Sequence, residues 1–346
     1  LSYTMDCSST HVSSQGIPGK NYGVRPHGPE FRHRAAAARS RLDLARADMA
    51  IRYDGRVAIV TGAGAGLGKQ YALFLAARGA RVVVNDVAEE TAAAVVAEIV
   101  RSGGEAIAAV GSVSEGETIV RSAIQRWGRV DILINNAGIL RDMAFHKMTA
   151  KAFDLVHEVH VRGTYAMTRA AWPHMRAAGY GRVLLITSVN GLYGQFGQAN
   201  YSSAKAAMVG LAKTLAAEGS GKGILVNALA PGGATAMTAT VLPAEIVAKW
   251  KPEYVVPCVA FLCSEECDAS GKVFESGGGW MAEVRWQRSP GFFFDLSKPY
   301  GPEEVRAAWH RVVDFTDAGA PEEDGTLGPH SPQLQQMMQG PTPSKL

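Results

Sequence analysis

The sequence predicts an α/β chain: a doubly wound parallel sheet of seven strands, forming a single domain followed by a C-terminal extension. Two observations carry that prediction. From 56 to about 276, short β-branched runs alternate with longer Ala-rich segments, and strands joined through helices must lie parallel, because such a connection needs a crossover of a dozen or more residues. The composition is also that of a globular protein, with 47% hydrophobic and 19% charged residues in 346. The 38 glycines follow no period and there are only 4 cysteines, which excludes a collagen-like chain and a disulfide scaffold.

In chain order, strands are expected at 56–61, 81–85, 106–110, 131–134, 182–187, 223–228 and 272–275, each a short run rich in Val, Ile, Leu or Ala. Between them, helices are expected near 66–78, 88–102, 115–127, 150–178, 201–218 and 254–265, and right-handed crossovers place them on both faces of the sheet. The domain spans 51–288, and 289–346 is the extension, which holds half of the 16 prolines. Within it, 302–315 reads as an amphipathic helix through Val305, Ala308, Trp309 and Val312, and 318–346 reads as loose. Residues 1–50 are Ser-, Arg-, Gly- and Ala-rich and are expected to form a disordered leader outside the fold. With Met49 just before the first strand, one reading is read-through of an upstream leader. The alternative is an Arg-rich transit peptide, which Glu30, Asp43 and Asp48 argue against.

The net charge is +3, and residues 1–48 carry all of it, with 7 Lys/Arg against 4 Asp/Glu. The neutral body does not suit nucleic acid, whose affinity depends on neutralising phosphates. The best apolar runs, such as 183–187, are far too short for a membrane span. Function is therefore expected in a site.

The first candidate site is the turn after strand 56–61, Thr61-Gly62-Ala63-Gly64-Ala65-Gly66-Leu67-Gly68, which runs into a helix. Glycines let backbone N–H groups approach a pyrophosphate, and a helix N-terminus favours negative charge there. The second strand ends at Asp86, 18 residues after Gly68. A carboxylate in that place accepts hydrogen bonds from ribose hydroxyls and repels a 2′-phosphate, so NAD is expected rather than NADP.

The spacing Thr-Gly-x-x-x-Gly-x-Gly resembles that of the short-chain dehydrogenase/reductase family, and further motifs follow in the family's order. Asn135-Asn136-Ala137-Gly138 closes the fourth strand, Ser188 follows the fifth, Tyr201-Ser202-Ser203-Ala204-Lys205 opens the next helix 13 positions later, and Pro231-Gly232 follows the sixth. The resemblance implies a Rossmann fold. It also implies cofactor contacts from Gly62, Gly64, Gly66, Leu67, Gly68, Asp86, Ser112, Val113, Asn136, Ala137, Gly138, Tyr201, Lys205, Pro231, Gly232 and Thr235. Tyr201 and Lys205 stand i, i+4 on one helix face. A free tyrosine, with a pKa of about 10, is a poor base, and a nearby ammonium together with the positive nicotinamide ring would bring it toward the working range. Ser188 would hydrogen-bond the substrate oxygen, and Lys205 would hold the nicotinamide ribose. Where most of the family has an Asn that relays protons through water, this chain has His160, which could do the same or simply pack.

Longer strings narrow the resemblance: Asn136 to Asp142, Thr168 to Pro173, Tyr193 to Tyr201, Lys251 to Val255 and Gly278 to Trp280. They are similar to the (3R)-hydroxyacyl-CoA dehydrogenase part of peroxisomal multifunctional enzymes of type 2, over about 52 to 316, and His160 is shared with that group. This implies NAD-dependent oxidation of a (3R)-3-hydroxyacyl-CoA to the 3-ketoacyl-CoA. The chain departs from the group in lacking a glycine-rich insert after Asp86, and it has Gly111 where an Asp usually precedes the Ser112-Val113 pair. The hydratase and sterol-carrier domains of larger relatives are not expected within these 346 residues. The alternatives are dehydrogenation of a steroid or another secondary alcohol, and a non-catalytic binding or scaffolding subunit.

Ser344-Lys345-Leu346 matches the peroxisomal import tripeptide, so an import receptor and a peroxisomal matrix address are expected. It also suggests a natural stop. Cys258, Cys263 and Cys267 fit no usual zinc spacing and are expected to be packed thiols, with no metal. Arg141 and Lys147 are candidate CoA phosphate contacts, though surface charge explains them equally well. The helices at 150–178 and 201–218 resemble the family's dimer contact, with Ala206, Ala207, Gly210 and Ala212 as small residues for close packing, so a homodimer is expected.

Overall fold

The computed structural model describes residues 50–233, 245 and 250–319. The leader, Thr235 and the Ser344-Lys345-Leu346 tail lie outside the described residues. The chain divides into Leu1–Ala50 and Ile51–Leu346, and the described residues after Ala50 belong to the second unit.

Its strands are β1 (Val57–Thr61), β2 (Arg81–Asp86), β3 (Glu105–Val110), β4 (Ile132–Asn135), β5 (Gly181–Ile186), β6 (Ile224–Gly232), β7 (Val273–Gly277) and β8 (Trp280–Val284). They form one sheet in the order β3-β2-β1-β4-β5-β6-β7-β8. All pairings are parallel except β7 with β8. The expected seven-stranded parallel sheet is therefore present, with an eighth, antiparallel strand added. Gly277 pairs with Trp280, and the two residues between them, Gly278 and Gly279, both have positive φ (59° and 82°). A two-residue hairpin turn of that kind follows the sheet's twist, and glycine meets its backbone demand without strain.

The helices between strands are α1 (Gly66–Ala77), α2 (Glu89–Arg101), α3 (Gly116–Trp127), α4 (Ala150–His157), α5 (Gly163–Ala178), α6 (Val189–Tyr193), α7 (Ala199–Gly219) and α8 (Val256–Leu262). The expected continuous helix over 150–178 is interrupted at Glu158–Arg162 by a π-helical turn.

Successive strand residues point to opposite faces. Ala58 and Val60 of β1 join Val82 and Val84 of β2 in a core shared with Tyr71 and Leu75 of α1 and Val259 of α8. Val57 and Ile59, with Val83, Leu133 and Leu185, face Ile119 of α3, Met167 and Met175 of α5 and Met208 of α7. Because both faces are covered, β1, β4 and β5 are buried along their whole length. Ala212 is fully buried in the second core, which corrects its assignment to a dimer face. Ala206 and Gly210 do stand exposed on α7.

The extension carries α9 (Pro302–Val312), somewhat shorter than the expected helix over 302–315. It folds back on itself. Ser289 Oγ donates to the Val312 carbonyl at 2.6 Å, Arg311 lies 4.5 Å from the Phe292 ring centroid, and Phe294 stacks on Tyr300 at 4.4 Å.

The strand order reverses direction between β1 and β4, and the C-terminal ends of β1, β2, β4, β5 and β6 open on the crevice there. In doubly wound sheets this switch point is where ligands bind.

Candidate active site

The glycine loop follows β1. Its N–H and C=O groups are fixed by neighbours rather than by a helix cap. Thr61 Oγ1 accepts from Asn136 N at 2.9 Å and Ala137 N at 3.0 Å, and Asn136 Nδ2 donates to the Thr61 carbonyl at 2.9 Å. A Cβ at Gly62 would stand 2.9 Å from Ala137 Cα, and one at Gly68 would stand 2.3 Å from the Gly62 carbonyl oxygen. These two glycines let α1 and the β4 exit close on the loop. Gly66 has nothing within 4 Å of its Cβ position. At the N-terminus of α1, Ala65 supplies no capping side chain and the first turn holds no acidic residue. The helix end is left facing the crevice with its partial positive charge uncompensated, which fits a pyrophosphate.

Asp86 ends β2 beside this loop. Its Oδ2 accepts from Gly64 N at 2.9 Å and its Oδ1 from Ala88 N at 3.1 Å. Each oxygen keeps a second lone-pair site, so the carboxylate can also receive ribose hydroxyls. Across the crevice mouth, Asn85 Nδ2 donates to the Ala109 and Gly111 carbonyls at 2.9 and 3.1 Å, which fixes the Gly111-Ser112-Val113 turn. Val113 is buried against Gly163, and Ser112 Oγ caps the short turn after it. Pro231 and Gly232 close β6 opposite Ser276 and Gly277 of β7.

Ser188, Tyr201 and Lys205 converge at the ends of β5 and α7. Ser188 caps α6, its Oγ accepting from Asn190 N at 3.1 Å, and it hydrogen-bonds the Tyr201 hydroxyl. Lys205 is buried, its Nζ lies 5.7 Å from the Tyr201 ring centroid, and it donates to the Ile186 carbonyl at 2.6 Å. Thr187 Oγ1 donates to the Lys205 carbonyl at 2.7 Å, bolting α7 to the strand end. Burial pushes the ammonium of Lys205 down to about 7. Burial also raises Tyr201 above the usual phenol range, against the Ser188 hydrogen bond, which lowers it, and with help from the Asp142 charge. Among the protein's own groups, removal from water outweighs the Ser188 bond, so the acidity expected from the ammonium together with a nicotinamide ring is not reached by these groups alone.

A family model described as short chain dehydrogenase matches residues 56–245. The chain belongs to the short chain dehydrogenase family. It is 47% identical over 282 residues to the mouse peroxisomal multifunctional enzyme type 2, covering 79% of this chain and 38% of that protein. Among solved structures, the full-length peroxisomal multifunctional enzyme type 2 from Drosophila melanogaster is 40% identical with a TM-score of 0.70, over 79% of this chain and 48% of that one. A 7 alpha-hydroxysteroid dehydrogenase complexed with NADH and 7-oxo glycochenodeoxycholic acid is 34% identical with a TM-score of 0.62, over 66% of this chain and 95% of that one. The chain thus spans less than half the length of these two multifunctional relatives. As a family member it is an oxidoreductase.

His160 lies on the π-helical turn, with its ring edge-on to Tyr201 at 5.3 Å. Its Nε2 faces both the N–H and the C=O of Ile139, at 3.0 and 2.9 Å, and a Cβ on Gly138 would meet the ring at 2.3 Å. Nδ1 is buried with no partner among the described residues. Burial, seconded by the Lys205 charge, holds the imidazole down at about 3, so it is neutral at working pH. Unfolding restores a value near 6.5. The resulting stability is complete above pH 6.5 and is lost as the pH falls toward 3. His160→Asn should therefore retain about 2 kcal/mol more of its neutral-pH stability at pH 5 than the wild type does. Urea midpoints at pH 8 and pH 5 check this, and equal acid losses in both proteins would refute it.

Three further residues shape this site that spacing alone did not mark. Asn200, fully buried, donates through Nδ2 to the Arg141 carbonyl at 2.9 Å. Tyr193, at the far end of α6, donates to the Glu275 carboxylate of β7. Gln198 bonds Asp142. Arg141 and Lys147 are exposed, and the Arg141 guanidinium donates to the Leu140 carbonyl at 2.6 Å.

Cys258, Cys263 and Cys267 are buried free thiols, and burial pushes Cys258 up to about 11. No group of three or more His, Cys, Asp or Glu stands ready to hold a metal among the described residues, and no helix among them is long and apolar enough to cross a membrane.

Proposed function

We propose that the chain is an NAD-dependent dehydrogenase that oxidises (3R)-3-hydroxyacyl-CoA to 3-ketoacyl-CoA in peroxisomal β-oxidation. The observation that carries the chemistry is the meeting of Ser188, Tyr201 and Lys205 at the crevice mouth, beside a glycine cradle ending at Asp86. The acyl-CoA substrate and the peroxisomal setting are supported by the resemblance to the type 2 multifunctional enzymes and by the peroxisomal names of the relatives. The Ser344-Lys345-Leu346 tail supports an import receptor as partner.

The cradle fits a dinucleotide. Gly62, Gly64, Gly66, Leu67 and Gly68 would hold its pyrophosphate, Asp86 its adenosine ribose, Ser112 and Val113 its adenine, and Asn136, Ala137, Gly138, Pro231, Gly232 and Lys205 its nicotinamide half. When bound, the oxidised nicotinamide supplies a two-electron acceptor and a positive charge. The protein's own residues do the rest. Ser188 Oγ orients the substrate hydroxyl, and Tyr201 Oη takes its proton. Lys205, held under β5 by the Ile186 carbonyl, sets its Nζ near the phenol ring. His160, neutral and clamped by Ile139, holds the ring wall against which Tyr201 stands.

NAD is favoured over NADP because Asp86 is followed by Glu89 and Glu90 in the first turn of α2, with no basic residue between 86 and 91 to receive a 2′-phosphate. Asp86→Ser should lower the NAD/NADP ratio of kcat/KM by roughly 10- to 100-fold, the worth of a hydrogen bond to a charged group. Steady-state kinetics with both dinucleotides checks it, and an unchanged ratio would place cofactor choice elsewhere.

The chain acts as a homodimer in this reading, with the exposed faces of α5 and α7 (Tyr165, Ala206, Gly210) meeting their copies. The deciding experiment for the reaction is NADH formation from 3R against 3S hydroxyacyl-CoA and against a 7α-hydroxysteroid. Turnover confined to 3S or to the steroid would overturn the substrate assignment.

A further inference from the structure

The loop leaving β4 is stapled to the segment before Tyr201 at three consecutive residues. The Arg141 carbonyl accepts from Asn200 Nδ2 at 2.9 Å, Asp142 Oδ2 accepts from Gln198 Nε2 at 2.7 Å, and Met143 N donates to the Gly197 carbonyl at 2.8 Å. The middle staple continues. Gln198 Oε1 accepts from Asn190 Nδ2 at 2.7 Å, and the backbone N–H of the same Asn190 donates to Ser188 Oγ at 3.1 Å. A line of hydrogen bonds thus runs from a carboxylate, through the Gln198 and Asn190 side-chain amides and the Asn190 backbone N–H, to the hydroxyl beside Tyr201. Gln198 donates to the carboxylate and accepts from Asn190, so the carboxylate fixes which way the Gln198 amide points, and Asn190 donates at both of its links.

We propose that Asp142, Gln198 and Asn190 are positioning residues for the dehydrogenation, with Asp142 as the charged end of a chain that orients Ser188 toward Tyr201. The proposal rests on the dehydrogenase reading above. None of the three needs to touch the reacting atoms. Gln198 locks the Asn190 amide, Asn190 sets the cap at Ser188, and Asp142 stops Gln198 from flipping. The charge has a second effect, since Asp142 acts on the Tyr201 hydroxyl and makes its ionisation harder. The other groups facing Tyr201 are Lys205 from its own helix, His160 from the π-helical turn and Ser188 from the end of β5. Arg141, next to Asp142, turns its guanidinium to the Leu140 carbonyl.

Charge and bond are separable. Asp142→Asn retains an oxygen for Gln198 and removes the charge, while Gln198→Ala breaks the chain and leaves the charge. The readouts are the pH profile of kcat/KM and the kcat value, on the secondary alcohol that the wild type oxidises. In parallel, NAD binding to the free enzyme and thermal melting report the fold. Removing a negative charge favours the phenolate. The rising limb of the Asp142→Asn profile should therefore move about half a unit to one unit toward lower pH. Gln198→Ala should lower kcat by about tenfold and leave the limb within about 0.2 units of wild type, with NAD affinity kept within about twofold. An Asp142→Asn limb that coincides with wild type, or a Gln198→Ala kcat within about twofold of it, overturns the proposal while leaving the dehydrogenase reading intact. A wild type that oxidises no secondary alcohol overturns both.

Discussion

Tyr201→Phe is expected to lower kcat/KM for alcohol oxidation by roughly 10²- to 10⁴-fold, the contribution of a positioned acid–base group. Only Oη is lost. The ring keeps its edge-on contact with His160 at 5.3 Å and its place near Lys205, so the fold and the cradle should be untouched and NAD affinity should stay within about twofold. The pH dependence should change with it. Burial raises the phenol, so wild-type oxidation should climb as the pH rises through the alkaline range and the base form accumulates. In the variant that climb should disappear. Steady-state rates across pH and a binding titration check both statements. A loss smaller than about tenfold, with the climb retained, would mean that another group takes the proton.

Asp131→Ala is expected to cost about 1–3 kcal/mol of stability, the range for leaving a buried backbone N–H unpaired, since the two arginine partners are themselves 21% and 40% exposed. The Asp131 carboxylate is fully buried at the start of β4. It accepts from Arg129 Nε at 2.8 Å and Nη2 at 2.6 Å, from Arg56 Nη1 at 3.1 Å, and from the backbone N–H of Val57 at 2.9 Å. The alanine would leave the first amide of β1 without an acceptor and Arg129 without this carboxylate, while Arg56 keeps Glu265. Asp131→Asn, which can still accept from Val57, should cost less. All of this lies at the end of the sheet opposite the crevice, so the turnover of folded molecules should be preserved. Denaturant unfolding of the three proteins measures the loss, and a cost under about 1 kcal/mol for the alanine would show that the Val57 amide finds another acceptor.

What the sequence made legible was local. The glycine loop, Asp86 and the Tyr201–Lys205 pair each depend on spacings within one turn or one strand–helix unit, and the structure places them around one crevice. The strands of the parallel sheet were readable because strands covered on both faces are nearly continuous apolar runs. β8 has the opposite character: Trp280, Met281 and Glu283 are exposed on an edge, so no burial pattern marks it. The five residues of α6 are too few to show a helical period. The hydrogen-bonded line from Asp142 was out of reach for another reason. Its members are 142, 190 and 198, and only the fold brings a loop after β4 against the start of α7. Ala212 was misplaced because smallness alone does not say whether a residue faces a neighbour in its own chain or another copy. The opposing pull of burial on Tyr201 was not legible either, because no spacing reports solvation.

The π-helical turn at Glu158–Arg162 gives the chain one position of slack between α4 and α5. Such a turn holds one residue more than the helical path on either side requires. Deleting a single position inside it would let the turn close to an ordinary α-helical one with α5 kept in phase, whereas deleting one just after it, before Met167, would rotate all that follows by about 100°. Thr168 would then swing away from the Asn135 amide that it meets at 3.1 Å, and Met167 and Met175 would leave the sheet for solvent. A lost codon is thus absorbed within the five residues of the turn and misaligns the helix a few positions later.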